Sequence, residues 1–326
     1  MNIIGAGMAG LLAAAMLRGK VGRVYEKQRL LPNNHSAVLR FRSSVVGDVL
    51  NVPFKKVDVL KAVLPWSSPV ADMHAYSIKT NGNAEMRSIL SASGVLVQRY
   101  VAPPDFIQQM YSMVEGKVIF GCDVFDEFSK LRSPQEWKSE GPFISTIPMP
   151  AMMGLLGWEP ISIFRSVVGY NINIVVDGLN TYTSLYVPDP KYPFSRISTT
   201  GDLITAEFPC PTMQPIEVEH KIKYWRDHPE EILTVILGVL GLQPLKKIKS
   251  FDVSMQKYFK ILPIDENERR NFIMWATQEF GVYSLGRYAT WRPNLLLDDI
   301  VNDVRVIQNL ASNPSAVYSY KKDASQ

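Results

Sequence analysis

The first 27 residues carry a pattern of apolar runs and glycines that predicts a strand, a turn, a helix and a second strand. Residues 2–27 read NIIGAGMAGLLAAAMLRGKVGRVYEK. A short apolar run opens the segment, an Ala- and Leu-rich stretch long enough for a helix follows the glycines, and a second apolar run ends at Glu26. We therefore expect a β-α-β unit at the start of the sheet.

Two later apolar runs predict further strands of the same parallel sheet. KVIFGCDVFDEF occupies residues 117–128, and GPFISTIPMP occupies residues 141–150. Both are short, apolar and interrupted by Gly or Pro, as buried strands often are. AVLRFRS at residues 37–43 alternates between apolar and polar positions, which predicts a short strand with Arg40 and Arg42 on one face.

The region 161–208 has a different pattern and predicts an antiparallel sheet of its own. Segments such as SIFRSVVGYNINIVV and RISTTGDLITAEF alternate in polarity and are separated by Gly, Asn, Asp and Pro. Elsewhere the pattern predicts a strand over residues 91–101 and a loop-to-strand passage over 266–275. It predicts helices over 57–64, from Pro103, over 217–240 and from Leu297, where Asp298 and Asp299 suit the first turn.

Composition narrows the class of protein. With 326 residues, 46% of them hydrophobic, the chain can bury a core large enough for two lobes. No apolar run reaches the roughly 18 residues that a membrane span needs, so we expect a soluble protein. Cys122 and Cys210 lie far apart and form no metal or disulfide motif, which favours a reducing cytoplasm. The net charge of +4 suits a polyanionic partner without requiring one.

The glycines of the first turn have the spacing of a dinucleotide-binding motif. Gly5 permits a tight turn, Gly7 lets a pyrophosphate approach the backbone, and Gly10 lets the helix pack on the sheet. Glu26 follows the first glycine by about 20 residues, where an acid can hydrogen-bond a ribose hydroxyl. A secretory signal peptide is the alternative, but no basic segment precedes the apolar run. The predicted nucleotide-binding residues here are Gly5, Ala6, Gly7, Met8, Ala9, Gly10, Glu26 and Lys27.

A second motif near the end of the chain carries a family resemblance. Residues 281–307 read GVYSLGRYATWRPNLLLDDIVNDVRVI. This segment resembles the C-terminal motif of glutathione-reductase-like flavoproteins, in particular the amine oxidase and UDP-galactopyranose mutase branches. The resemblance implies FAD as the cofactor, with Gly286 and Arg287 near the flavin phosphate and ribityl chain. It also implies that the helix starting at Leu297 points its positive end at the flavin ring.

The resemblance extends to the adenosine half of the cofactor and to the fold. It implies that Glu26 and Lys27 bind the adenosine ribose and that Val124 contacts adenine. The fold class is then α/β, with a Rossmann-type FAD-binding lobe and an inserted antiparallel-sheet substrate lobe. We expect the FAD-binding lobe to comprise residues 1–60, 90–160 and 276–326, and the substrate lobe to comprise residues 61–89 and 161–275.

Several residues are candidates for contact with the flavin or the substrate. Arg40, Phe41 and Arg42 follow the nucleotide unit, and each arginine has an ordinary role at a strand edge as its alternative. Most histidines are not catalytic, but His35 immediately precedes this strand. Tyr288 and Trp291 could form an aromatic pocket or pack beneath the last helix. The catalytic candidates are thus His35, Arg42, Tyr288 and Trp291.

Three reactions are compatible with a flavin or nicotinamide cofactor, and binding without turnover is a fourth possibility. An amine-oxidising flavoenzyme needs no catalytic triad or metal cluster, because flavin supplies the redox chemistry. A mutase of the galactopyranose type would need arginines for a sugar diphosphate, and Arg165 and Arg196 could serve. An NAD-dependent dehydrogenase does not explain the SLGR segment and the final helix.

The compact chain also resembles bacteriophage flavoproteins that modify thymidine. That resemblance implies cleavage of a C–N bond in an amino-acid-modified thymine of double-stranded DNA, for example a glycinyl thymine that becomes an aminomethyl base. A free small amine is the alternative substrate. Such a base would have to leave the duplex, and Tyr258 is a further candidate to receive it. The alternative for the candidate phosphate contacts is an ordinary solvated surface; these candidates are Lys246, Lys247, Lys249, Lys257, Lys260, Arg269 and Arg270.

Overall fold

A computed structural model describes residues 1–31, 39–80, 94–131, 133–210, 215–243 and 247–313. These residues form an α/β protein with two sheets, one parallel and one mainly antiparallel. The α/β class and the combination of a Rossmann-like parallel sheet with a separate antiparallel sheet agree with the sequence-based prediction.

The parallel sheet has five strands and contains the predicted β-α-β unit. Its strands, in spatial order, are β13 (Val282–Ser284), β7 (Phe143–Ser145), β1 (Asn2–Ile4), β2 (Val24–Glu26) and β6 (Val118–Phe120). All four pairings are parallel, so the predicted strands within 117–128 and 141–150 are confirmed. The VFDEF part of 117–128 is instead helix α5 (Val124–Phe128), because Asp123 accepts a hydrogen bond from Phe125 N and caps a helix start.

Helices cover the parallel sheet. Helix α1 (Met8–Met16) is apolar on nearly every side and packs against the last helix, α11 (Leu297–Ser312). The predicted start of α11 at Leu297 is therefore confirmed. The other helices of this part are α2 (Val45–Leu50), α4 (Phe106–Ser112), α6 (Pro134–Ser139), α7 (Met149–Leu156) and α10 (Glu266–Phe280).

The second sheet has eight strands. Their spatial order is β12 (Ile248–Ile261), β8 (Ser166–Val176), β11 (Leu203–Cys210), β10 (Arg196–Gly201), β9 (Thr181–Tyr186), β4 (Lys55–Val63), β5 (Val95–Val101) and β3 (Arg40–Phe41). Only β4 and β9 pair in parallel among these strands as described. The predicted antiparallel region 161–208 and the predicted strand within 91–101 are confirmed.

One predicted helix and one predicted loop-to-strand passage are wrong, and a second predicted helix is refined. Residues 57–63 of the helix predicted over 57–64 belong to strand β4, whose period-two alternation places Val57, Val59 and Val63 inside. Residues 266–275 are helical, because Asp265 accepts a hydrogen bond from Glu268 N and starts α10. The helical region 217–240 divides into α8 (Pro215–Asp227) and α9 (Pro229–Val239), since Pro229 opens a new helix.

The division of the chain into an FAD-binding lobe and a substrate lobe stays a prediction. Strands β3, β4 and β5, which this division places mainly in the FAD-binding lobe, pair within the eight-stranded sheet. Helix α10, assigned mostly to the substrate lobe, contacts β13 of the parallel sheet. Helix α3 (Pro69–Lys79) connects β4 to the segment before β5.

The eight-stranded sheet has one apolar and one polar face. One cross-strand row places apolar side chains against α8 and α9; it consists of Leu185, Ile197, Ala206, Ile172 and Val253. The cross-strand row directly beside it points to the opposite face, because successive residues of a strand alternate between faces. This row is polar and consists of Tyr186, Arg196, Glu207, Asn171 and Ser254. We call this second side the polar face.

Within the described residues, no helix combines the length and apolar character needed to cross a bilayer. The same residues contain no group of three or more His, Cys, Asp or Glu side chains arranged to hold a metal ion.

Gly169 tests the packing between β8 and β12. A Cβ at this position would lie 2.5 Å from the ring of Phe259, which is buried. We expect Gly169→Ala to lower the free energy of unfolding by about 1–3 kcal/mol, because the ring or the strand must shift. Gly154→Ala in α7 is the matched control, since its Cβ meets no atom within 4 Å. Equal stability of the two variants in urea unfolding would contradict this packing.

Candidate functional site

Two glycines of the first turn are required by the fold itself. Gly5 has φ +95°, and a Cβ there would lie 2.5 Å from Thr146 Oγ1. A Cβ on Gly10 would lie 1.9 Å from the carbonyl oxygen of Gly5. Thr146 Oγ1 donates to the carbonyl oxygens of Ile4 and Gly5 at 2.9 and 3.1 Å. The turn is thus compressed between β7 and the start of α1.

Gly7 differs from these two glycines because the space beside it is open. No atom lies within 4 Å of a Cβ built at Gly7. The residue precedes α1 and no side chain caps the helix. The first backbone N–H groups of a helix carry partial positive charge and have no partner within the helix. This opening therefore has the shape and polarity that a phosphate group needs.

Glu26 is fixed at the carboxyl end of β2 beside this turn. Its Oε2 accepts a hydrogen bond from Ala6 N at 2.7 Å, and its Oε1 accepts one from Gln28 N at 2.8 Å. Each carboxylate oxygen can accept a further hydrogen bond, so Glu26 remains able to bind a hydroxyl group. Lys27 forms an exposed ion pair with Asp123 at 2.7 Å, and the side chain of Val124 is buried in the neighbouring helix.

The C-terminal motif packs directly onto α1. Gly286 has φ +90°, and a Cβ there would lie 2.9 Å from the Cβ of Ala9. Leu285 N also donates to Ser145 O at 2.8 Å, which continues the sheet edge. The absence of a side chain at Gly286 therefore lets the two sequence motifs meet.

Asp298 joins the start of α11 to the segment after β3. Its Oδ1 accepts hydrogen bonds from Ser43 N at 2.9 Å and from Ser43 Oγ at 3.0 Å. Arg42 N donates to Oδ2 at 3.3 Å. Asp299 accepts a hydrogen bond from Leu296 N at 2.9 Å and caps the helix. These contacts hold the N-terminus of α11 near the turn that contains Gly7.

A cavity of about 540 Å³ lies where these segments meet, a size within the usual range of small-molecule sites. Nine of the predicted site residues line it: Gly7, Met8, Ala9, Arg40, Phe41, Lys257, Arg287, Tyr288 and Leu297. The remaining lining residues, apart from Tyr258, carry no sequence-based prediction of flavin, substrate or DNA contact; they are Leu39, Thr146, Gln256, Leu295, Leu296, Asp298 and Ile300.

Arg287 is a half-buried cation on the wall of this cavity. Burial lowers the pKa of its guanidinium from the ordinary value, and the nearby Arg196 charge lowers it further. Its Nε is buried without a hydrogen-bond partner among the described residues. The guanidinium carbon lies 5.7 Å from the ring centre of Tyr288. A buried donor without an acceptor is costly, which indicates a place for a ligand acceptor.

A bulge in β12 forms another part of the cavity wall. The pairing of β12 with β8 shifts between Gln256 and Lys260, and the residues at the start of this irregular stretch face the cavity. Tyr258 lies 5.7 Å from the ring of Tyr288, so the two tyrosines form an aromatic wall. Bulges often redirect side chains at functional sites. The sequence contains no simple signal for this bulge.

Arg40 and Arg42 have different environments. Arg40 lines the cavity but donates to Ser184 Oγ at 2.6 Å and to the carbonyl oxygens of Thr183 and Thr199. Burial, followed by the charges of Arg196 and Arg99, lowers its pKa to about 10. The side chain of Arg42 is exposed and does not line the cavity. The predicted common face for the two arginines therefore does not correspond to a common role.

Trp291 is 1% exposed and donates from Nε1 to Leu262 O at 2.8 Å. Its ring packs against Phe164 and Tyr258, and it does not line this cavity. His35 lies outside the described residues.

The polar face brings Arg196 and Lys260 into one charged cluster, which no sequence pattern indicates. Arg196 forms an ion pair with Glu207, and Tyr186 lies beside the guanidinium. Lys260 also lies on this face, because it pairs with Val167, whose side chain points to the same side as Asn171. Burial lowers the pKa of Lys260 to about 8, and the Arg196 and Arg287 charges act in the same direction. The sequence alone does not show this cluster, because only the strand register brings its members to one face.

The candidate DNA contacts within the described residues have different surroundings. Arg269 and Arg270 both pair with Glu266, and Lys260 lies on the polar face. Lys249 pairs with Asp177 at 3.0 Å and lies 3.9 Å from Asp202. Lys247 is exposed, and Lys257 is exposed at the rim of the cavity. Lys246 lies outside the described residues. The positive charge of Lys249 is therefore largely neutralised.

Comparisons with known proteins connect this geometry to a fold. No protein-family model and no curated protein sequence matches the chain. A crystal structure of reduced UDP-galactopyranose mutase superposes with a TM-score of 0.63 over 97% of this chain and 98% of that chain, at 16% identity.

Other solved structures share the architecture more loosely. A complex of aklavinone-11 hydroxylase with FAD and aklavinone gives a TM-score of 0.53 at 13% identity, over 98% of this chain and 62% of that one. A geranylgeranyl bacteriochlorophyll reductase-like protein from Thermoplasma acidophilum gives 0.54 at 10% identity, over 98% and 81%. The chain thus has the fold of these proteins.

Lys260 offers a test of the polar face through stability. Its folded pKa of about 8 lies below its ordinary value of 10.5, so the cation opposes folding below pH 8. We expect Lys260→Met to raise the free energy of unfolding at pH 7 by about 1–3 kcal/mol.

Because the folded protein lowers the pKa of Lys260, the stability difference between the wild type and Lys260→Met should depend on pH. The wild-type protein should regain stability relative to this variant as the pH rises from about 8, and the difference should vanish above the ordinary lysine pKa. Urea unfolding at several pH values measures it. A destabilised variant at pH 7 would contradict the unfavourable burial of Lys260.

Proposed function

We propose that this chain is an FAD-dependent enzyme of the oxidoreductase type that carries out its reaction in the cavity between the two sheets. The observation that carries the proposal is the contact of Gly286 with Ala9, which brings both sequence motifs to one cavity. The FAD named for the aklavinone-11 hydroxylase complex, a protein of the same fold, supports the choice of cofactor.

The residues around the cavity fit the parts of FAD. The uncapped start of α1 at Gly7 would bind the pyrophosphate, and the fixed carboxylate of Glu26 would accept a hydrogen bond from the adenosine ribose. Arg287 has a buried Nε available for an acceptor. The N-terminus of α11 at Leu297 would stabilise negative charge on the flavin ring. Bound FAD would supply the electron transfer.

The protein would then orient the substrate and keep water away. Phe41, Tyr258 and Tyr288 supply apolar and aromatic walls, while Gln256 and Lys257 supply polar groups at one side. Asp298 holds the segment after β3 in place through Ser43 and so fixes one wall relative to α11. Positioning of this kind is the protein's main contribution in cofactor enzymes.

The finer proposal is cleavage of a C–N bond in an amino-acid-modified thymine of phage DNA. The aromatic wall of Tyr258 and Tyr288 supports it, since a flipped base needs aromatic contacts. The exposed Lys257 at the cavity rim could contact a phosphate. The pairing of Lys249 with Asp177 weakens the rest of the predicted DNA surface.

Two other substrates remain as competing proposals. Oxidation of a free small amine needs only the cavity and the cofactor. A mutase-like reaction is favoured by one observation, the similarity to UDP-galactopyranose mutase over nearly the full length of both chains. Of the two arginines suggested for a sugar diphosphate, Arg196 lies on the polar face, whereas Arg165 is exposed.

Gly7 tests the cofactor site. Gly7→Val places a branched side chain where the pyrophosphate would approach, while the protein itself leaves that space open. We expect FAD affinity to fall by about tenfold or more, since a lost phosphate contact of 1.4 kcal/mol already gives that factor. Gly19→Val is the control, because its Cβ also meets no protein atom within 4 Å and it lies outside the cavity. Equal FAD affinity in fluorescence titrations of both variants would contradict the proposal.

The substrate class is tested by anaerobic reduction of the FAD-loaded protein. Glycinyl-thymine DNA, a panel of free amines and UDP-galactopyranose are mixed separately with it, and flavin absorbance and products are followed. Bleaching by the modified DNA alone supports base modification, and bleaching by an amine alone removes DNA from the proposal. Ring contraction of the sugar by the pre-reduced protein would favour the mutase reaction. An FAD-loaded protein that acts on none of them, before or after reduction, would contradict all three substrates.

A further inference from the structure

We propose that the polar face binds one anionic group of the substrate, a carboxylate or a phosphate, through Lys260 and Arg287. This inference rests on the proposed function for its location beside the flavin cavity. It goes further by naming the charge of the substrate and the residues that recognise it.

The first support is the placement of the cations. Lys260 comes from β12, Arg196 from β10 and Arg287 from the turn after β13. Lys260 lies over the ring of Tyr76, which packs at 5.7 Å on the ring of Tyr186 beside Arg196, and the charge of Arg196 acts on both Lys260 and Arg287. Three separate parts of the fold thus bring positive groups together. Like charges repel, so a fold gains nothing from this arrangement unless an anion joins it.

The second support is the lack of compensating partners. Glu207 is committed to Arg196 through an ion pair. Among the described residues, the side chain of Lys260 makes no ion pair or hydrogen bond, and its Nζ lies 5.3 Å from the centre of the Tyr76 ring. The Nε of Arg287 is buried and has no acceptor in the same part of the chain. Within the chain as described, Glu207 is the carboxylate whose charge acts on both Lys260 and Arg287, and its ion pair with Arg196 leaves these two cations without a partner of their own.

The third support is the chemistry of the surrounding surface. Two adjacent rows of the polar face carry hydroxyl, amide and charged groups; the second row consists of Ser184, Ser198, Thr205, Asn173 and Asp252. Ser254 Oγ, next to Asn171 in the first row, is buried without a partner among the described residues. Several of these groups already pair with one another, as Ser184 does with Ser198 and Thr205 with Asn173. Ser254 Oγ is a buried group that a polar substrate would satisfy and an apolar one would not.

This site is separate from the predicted pyrophosphate position. Lys260 and its neighbours Tyr76, Arg196 and Glu207 belong to β12, α3, β10 and β11, whereas the pyrophosphate position is the start of α1 on the parallel sheet. Arg287 is the one group of the cluster that also lines the cavity. A substitution of Lys260 should therefore affect the anion site and leave the cofactor site unchanged.

Calorimetric titration with simple anions tests the proposal on the full chain, with FAD added. Phenyl phosphate and benzoate are the probes, because each joins an anion to a ring that suits the Tyr258 and Tyr288 wall. Benzamide is the uncharged match of benzoate. We expect saturable binding of at least one anion and binding of benzamide weaker by about tenfold. The stronger of the two anions identifies the group as phosphate or carboxylate.

Substitutions locate the site. Lys260→Met should weaken anion binding by about tenfold or more, whereas Lys260→Arg should retain most of it because the charge remains. Lys223→Met, in the exposed part of α8, is the matched control and should bind as the wild type does. The thermal unfolding of each variant shows that it is folded.

Proton uptake gives a second readout. The groups that act on Lys260 are Glu207, Arg196 and Arg287, beside the ring of Tyr76. An added anion favours the charged amine, so binding near pH 8 should take up protons in the wild type but not in Lys260→Met. Comparing binding heats in two buffers of different ionisation enthalpy measures this uptake.

The outcomes separate the two proposals. Wild-type binding of neither anion, equal binding of benzamide, or undiminished binding by Lys260→Met would overturn the anion site. FAD content is measured independently by absorbance on every variant. Anion binding that depends on Lys260 in a protein unable to bind FAD would leave the anion site standing and remove the proposed function.

Discussion

The close contact between Gly286 and Ala9 is the constraint on which the site depends. Any side chain at Gly286 would meet Ala9, the second residue of α1, at 2.9 Å, so the C-terminal segment can approach the first helix only because this residue is glycine. With the segment in this place, β13 pairs with β7. The start of α11 then lines the same cavity as Gly7. Asp298 then attaches the segment after β3 to that helix.

The eight-stranded sheet supplies the other half of the site through its two faces. Its apolar face is buried by α8 and α9, which makes the strand register strict, because a shift of one residue would exchange the two faces. The same register therefore fixes the polar groups opposite. Hydrophobic packing on one face thus positions Arg196, Glu207 and Lys260 on the other face. These residues are far apart in sequence, so local interactions could not bring them together.

Local patterns explain which parts of the fold the sequence could predict. The glycine spacing of residues 5–10 and the alternation of β8 to β11 are short-range signals, and both elements form as expected. Helix α10 escaped prediction because its polar composition hides the apolar positions Phe272, Ala276 and Phe280. Strand β4 was assigned as a helix because Pro65 after it resembles a helix stop, although its buried valines alternate with period two.

The site was predictable only where it lies within a motif. Gly7, Arg287 and Leu297 belong to the two motif segments and line the cavity. The positions of Lys260 and Gln256 depend on a bulge in β12 and on its pairing with β8, and no sequence pattern predicts either. Arg40 was recognised as a candidate, but its hydrogen bonds to β9 and β10 follow from the curvature of the sheet.

The most direct test of the central claim is to identify what the purified chain retains. The protein is saturated with FAD and NAD together, desalted, and denatured, and the released molecules are quantified by mass spectrometry. The account predicts FAD in an amount equal to that of the protein, with flavin absorbance before denaturation. Retention of NAD alone, or of neither molecule, would contradict the FAD site between the two motifs.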